Sequence, residues 1–216
     1  MGHIPMLRYL LAIAIFAACS AAARLAPTGR QPALKLLLIL VSLALVWGKW
    51  KDFGFVLPRN VGWWKVLAPG LLTGALASLG ALVFHFDGMR AVMKGYSLPQ
   101  MIALIWFWSS LSEEIFCRGW FQSGLPAGPS RIWWSAALFG SMHLSLFLAG
   151  VDTPSVLWIV LWTTVLGYLC AQVRESTGSW VPAFVRHAGF NVGGLLGGIV
   201  YTIGYRISTG KLPQLG

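Results

Sequence analysis

Long apolar stretches, separated by short clusters of polar residues, glycine and proline, fill nearly the whole chain. The runs lie at about 6–23, 33–48, 65–86, 98–117, 132–148, 155–173 and 179–204. A helix crosses the hydrocarbon core with roughly 17–25 apolar residues, so the pattern predicts about seven membrane-spanning helices, six to eight in all. The second and fifth runs are the shortest. No internal repeat and no long polar linker divides the chain. Residues 1–216 therefore read as a single membrane-embedded domain, an all-α, polytopic transmembrane helical bundle. The first run has a second reading. Arg8, an apolar stretch and Ala17-Ala-Cys-Ser-Ala-Ala-Ala23 look superficially like a signal peptide. With six further runs following, an uncleaved first helix is expected.

Composition strengthens the membrane reading. The 216 residues are 57% hydrophobic and only 10% charged, and the mean hydropathy is +0.71, too little polar surface to cover a soluble globule. The net charge of +10 comes from sixteen Lys and Arg scattered between the runs. They form no basic face interleaved with aromatics, so nucleic acid is not an expected partner. Interfacial anchoring against anionic headgroups of the lipid bilayer accounts for them. Tryptophans near run ends fit the same role: Trp47, Trp50, Trp63, Trp64, Trp133, Trp134 and Trp180.

Charge does not orient the bundle. With the N-terminus inside, one face takes Arg8, Lys49, Lys51, Arg59, Lys65, Arg118, Arg131 and Arg174. The other takes Arg24, Arg30, Lys35, Arg90, Lys94, Arg206 and Lys211, so eight cations stand against seven. Cys19, Cys117 and Cys170 lie in apolar runs without metal-ligand spacing and read as small buried hydrophobes.

Against this background two adjacent carboxylates need a reason. Glu113 and Glu114, two of only six acidic residues, end the apolar fourth run. A carboxylate in hydrocarbon costs several kcal/mol by most estimates, faces a bundle interior as a rule and marks a functional site. Three runs carry pairs at i, i+4 spacing, which places both members on one helix face. They are Glu114/Arg118, Phe139/His143 and His187/Asn191, with Glu113 about 100° around the helix from Glu114. Of four histidines, His3 is terminal and His85 ends a run, where an interfacial role suffices. His143 and His187 lie within apolar runs. A Glu and a His can orient and deprotonate a water for attack on a carbonyl, while a second His and an Asn amide can donate to the developing oxyanion. Gly194 and Gly198 continue the His187/Asn191 stripe and leave room for a close approach. Gly189, Gly193 and Gly197 form a second row with GxxxG spacing suited to tight helix packing.

Glu113-Glu114-Ile-Phe-Cys-Arg118 has the form EExxxR, Phe139-Gly-Ser-Met-His143 the form FxxxH, and His187-Ala-Gly-Phe-Asn191 the form HxxxN. In this order they resemble the CPBP intramembrane proteases, the family of CAAX prenyl proteases and bacteriocin-processing enzymes. Lys51-Asp-Phe-Gly-Phe-Val-Leu-Pro58 and Arg174-Glu-Ser-Thr-Gly-Ser-Trp-Val-Pro182 are similar as well, so the family-like core covers about 51–198. The resemblance implies an intramembrane endopeptidase acting on a membrane-associated protein or peptide, in an integral, multi-pass protein of a prokaryotic cell membrane. It implies Glu113 as general base with His143 beside it, His187 and Asn191 as oxyanion hole, and Glu114, Arg118 and Phe139 in support. No cofactor is favoured. Zinc is possible, and Glu113, His143 and His187 would then be its ligands, although no HExxH is present.

Other readings stay open at this point. Cys117, one turn from Glu113, would be the nucleophile of a cysteine protease with His143 or His187. A transporter or proton relay also uses Glu, His and Asn in a bundle, but the polar groups concentrate on three runs without inverted halves. A scaffold or immunity protein would keep the fold without the chemistry.

Overall fold

The computed structural model describes residues 3–23, 30–58, 60–85 and 97–210. Among them lie seven helical segments and no strand. We number them α1 (His3–Ala23), α2 (Arg30–Leu45), α3 (Trp63–Val83), α4 (98–124), α5 (Pro129–Met142), α6 (Thr153–Thr177) and α7 (Val181–Thr209). Each overlaps one of the seven apolar runs. Among the described residues four stretches are long and apolar enough to cross a membrane: Pro5–Ala23, Trp63–Val83, Pro129–Ala149 and Thr153–Thr177. α2, at 16 residues, is ~24 Å long and falls short of a ~30 Å hydrocarbon core. The outward faces carry exposed Leu7, Leu72, Leu148 and Ile207, the surface that lipid rather than water solvates.

Local chemistry sets the boundaries. Asp152 caps α6 by accepting a hydrogen bond from the Ser155 N–H (3.0 Å), and that bond holds its carboxyl below the usual carboxylate range. Gly178, at φ 68°, ends the helix in the left-handed conformation. α5 ends in a 3₁₀ stretch, His143–Ala149, closed by Gly150.

The tightest packing joins α3 to α7. A Cβ on Gly70 or Gly74 would strike the backbone of Arg186 or Phe190, and one on Gly189, Gly193 or Gly197 the backbone of Leu67, Leu71 or Ala75. The GxxxG row thus packs against a helix, in accord with its spacing. Gly194 and Gly198 stay open, with the nearest atom 3.9 Å from a notional Cβ. Pro69 within α3 lacks the N–H that would have bonded the Lys65 carbonyl. Arg186 of α7 supplies the missing donor at 3.1 Å and also bonds the Val66 carbonyl at 3.0 Å.

α4 departs from a regular span. Ile102–Ser109 and Ile115–Phe121 wind as π-helix around one α turn, Ser110–Glu114, and a 3₁₀ turn closes the segment. π turns are rare and recur at functional sites. Side chains satisfy carbonyls around the second π stretch. Arg8 of α1 donates to the Trp120 and Phe121 oxygens, Ser123 to that of Arg118, and Arg131 to that of Gln122.

Candidate active site

The short α turn of α4 aims two carboxylates in different directions, as two neighbours ~100° apart must. Both are buried, Glu113 at 5% exposure and Glu114 at 0%. Glu114 points to Arg118 and α7. Its Oε2 lies 3.1 Å from Arg118 Nε and its Oε1 lies 2.9 Å from His187 Nδ1. Arg118, wholly buried, also donates to the Gly167 carbonyl of α6 at 2.7 Å. Glu113 turns toward α2, where the Lys35 ammonium forms an ion pair with Oε1. Ser109 donates to the same oxygen at 2.6 Å. Oε2 faces His187 Nε2 at 3.9 Å, too far for a direct hydrogen bond.

Phe139 ties the three motifs together. Its ring lies edge-on to His143 (centroids 5.2 Å apart) and perpendicular to His187 (5.3 Å), and the Arg118 guanidinium stacks over it at 4.7 Å. His143 Nδ1 pairs with the Phe139 carbonyl oxygen at 2.9 Å, and the ring sits within electrostatic range of Glu113. Asn191 donates from Nδ2 to the buried Ser110 hydroxyl at 2.9 Å, which pins α7 to the turn that carries Glu113. Glu113, Glu114, Arg118, Phe139, His143, His187 and Asn191 are thus gathered around one core of α4, α5 and α7.

The contact with Glu114 fixes what His187 can do. A neutral ring that donates Nδ1–H to Glu114 presents a lone pair at Nε2, so Nε2 donates to an oxyanion only in the imidazolium form. Glu114 is therefore partner to His187 as well as to Arg118, a link the i, i+4 spacing does not reveal.

Several expectations need correction. Lys35, read as a headgroup anchor, is turned inward onto Glu113. Arg174 is buried and Arg8 is committed to two carbonyls, so neither is a plain loop charge, while Arg118 makes the pair with Glu114 that its spacing predicts. Arg24, Arg59, Arg90, Lys94 and Lys211 lie outside the described residues, and the charge comparison orients nothing. Cys117 is fully buried, its sulfur facing Met142 Sδ at 3.6 Å and within electrostatic range of Arg118 and both glutamates. Ser109, Ser110 and Lys35 are site residues that the motifs missed, although the serine cluster just ahead of Glu113 was a visible signal.

A dication at this donor set would compete with an ammonium. Among the described residues no three His, Cys, Asp or Glu converge as ligands. The Lys35 ammonium already neutralises Glu113 at Oε1, whereas His187, with Nδ1 held by Glu114, keeps Nε2 for a ligand or a proton. A separate cleft of about 410 Å³, lined by Asn60, Lys65, Thr177 and Arg186 among others, contains neither glutamate.

Residues 95–193 match the family described as type II CAAX prenyl endopeptidase Rce1-like. The matched stretch contains all three motifs and ends within α7. No curated protein and no solved structure matches the chain.

Proposed function

We propose that the chain, whose residues 95–193 match the type II CAAX prenyl endopeptidase Rce1-like family, hydrolyses a peptide bond of a membrane-associated protein or peptide with water activated by Glu113. The observation that carries the reading is the asymmetry of the Glu113 carboxylate. Oε1 is taken by Lys35 and Ser109, while Oε2 faces His187 Nε2 across 3.9 Å. A water seated beside that gap meets both atoms at hydrogen-bond distance.

The water oxygen attacks the carbonyl carbon and its proton passes to Glu113. The oxyanion that forms is stabilised by His187, as imidazolium held by Glu114, and by the Asn191 amide. Glu113 then returns the proton to the amide nitrogen, the C–N bond breaks, and the products leave as a carboxylate and an ammonium once the new acid has passed its proton to the amine. His143 assists beside the water, and Phe139 holds both rings in place. The reading is metal-independent, and it is supported by the Lys35 ammonium, which already neutralises the Glu113 carboxylate. We take the protein to act as an integral, multi-pass protein of a prokaryotic cell membrane.

The test uses purified protein in lipid nanodiscs and an internally quenched farnesylated peptide ending in a CaaX sequence, the substrate class named in the family description. Wild type releases the C-terminal tripeptide, and Glu113→Gln, equally folded, does not. Cleavage by Glu113→Gln at the wild-type rate would overturn the assignment.

A further inference from the structure

Each carboxylate of the site has its own buried cation, and the two cations come from different parts of the chain. Arg118 serves Glu114 from one helical turn away. Lys35 serves Glu113 from 78 residues away, on α2, outside the family-matched stretch. The Lys35 side chain is 14% exposed and that of Glu113 7%, so water contributes little to either charge. Lys35 is surrounded in sequence by Leu34, Leu36, Leu37 and Leu38, a setting in which an ammonium persists only with a partner.

Two adjacent carboxylates in a low-dielectric interior repel, and one takes up a proton unless each is matched by a positive charge. Arg118 is committed to Glu114, whose other oxygen holds His187. The groups that face Glu113 are Lys35 from α2, His143 from the end of α5, His187 from α7, and Ser109, Glu114, Cys117 and Arg118 on its own segment. Lys35 is the permanent cation of that set not already claimed by Glu114.

We propose that Lys35 is a positioning residue of the active site, which keeps Glu113 a carboxylate and holds Oε1 so that Oε2 is presented to water. α2 is then a fourth functional segment beside the three that carry motifs. The role rests on the proteolytic reading, whereas the charge pairing does not, and the experiment separates the two. Lys35→Met removes the charge with similar bulk, and Lys35→Arg keeps it.

The first readout is the pH profile of farnesylated-peptide cleavage. The acid limb of kcat/KM moves toward alkaline pH by at least one unit in Lys35→Met and returns toward wild type in Lys35→Arg. A purely structural residue lowers rates without moving that limb. The second readout needs no activity. Dicyclohexylcarbodiimide modifies protonated membrane carboxyls, and peptide mass spectrometry locates the adduct. At pH 7 Glu113 is unmodified in wild type and in Lys35→Arg, at least tenfold more modified in Lys35→Met, and the adduct is absent in Glu113→Gln.

A wild type that leaves the peptide uncut defeats the proteolytic reading, while the carbodiimide pattern still decides the pairing. Equal Glu113 labelling in wild type and Lys35→Met, or an unmoved acid limb, overturns the proposal. Should Lys35→Met fail to fold, the double variant Lys35→Met/Glu113→Gln, which removes both charges, recovers the folded yield. A double variant no better than the single one overturns the pairing.

Discussion

Two walls of the site are built on opposite principles. α4 is irregular, with two π stretches, and carbonyls around the second are satisfied by Arg8, Ser123 and Arg131. The α3–α7 pair, kinking proline apart, is regular and approaches backbone to backbone through five glycines. One wall depends on side chains that must be present, the other on side chains that must be missing. The difference has a functional sense. The wall with the carboxylates is held by polar contacts that specify where each oxygen points. The wall with His187 and Asn191 is held by close packing that fixes the distance between helices and leaves its polar groups for the site.

The comparison can be broken most severely on the packed wall. Gly193→Val drives a branched side chain into the Leu71 backbone, which neither helix can yield without separating. Overpacking of even one methylene costs about 1–3 kcal/mol, and a backbone collision exceeds that. The expected outcome is loss of folded protein by size-exclusion chromatography and circular dichroism. On the polar wall the largest effect belongs to Glu114→Gln. It unpairs the buried Arg118, at a cost of about 3–5 kcal/mol. It also removes the charge that supports a His187 imidazolium, so kcat falls by about 10²–10⁴-fold, the range for positioned acid–base groups. Thermal unfolding and peptide cleavage read the two parts separately.

Arg8→Met comes next. It strips donors from the Trp120 and Phe121 carbonyls at about 1–3 kcal/mol each, and the Tm falls while residual activity persists in the folded fraction. The smallest effects sharpen the contrast by their absence. Gly194→Ala, one residue from Gly193 but with open space at its Cβ, leaves the unfolding free energy within about 0.5 kcal/mol of wild type or above it, as helix propensity favours alanine. Cys117→Ser retains activity, and dialysis against a strong chelator leaves the cleavage rate unchanged. A rate lost to the chelator and restored by stoichiometric zinc would reopen the metal reading.

Much of the site was legible because its information is local. The i, i+4 spacings place Glu114 over Arg118 and His143 over Phe139, and the structure places both pairs in contact. The glycine row 189/193/197 likewise announces a close helix neighbour. What escaped is information carried between distant segments. Nothing in the run around Lys35 distinguishes a lysine that snorkels to headgroups from one that meets Glu113 78 residues later. Arg174 reads as a loop cation, yet it is buried and donates to Ser123 at 2.7 Å. The π winding of α4 is invisible to hydrophobic periodicity, because a run that is apolar on every face has no phase to shift. The Glu114–His187 contact required knowing which face of α7 meets α4.

The cations on α1 and α2 have a consequence for biogenesis. A chain made from its N-terminus inserts α1 and α2 before α4 is synthesised. Arg8 and Lys35 are then already in the membrane when their partners emerge, the Trp120 and Phe121 carbonyls and the Glu113 carboxylate. The costly acceptors arrive last, into a place where donors are waiting. The order of residues along the chain thus doubles as an assembly schedule, in which the segment with both buried glutamates is delivered only after the means to neutralise it.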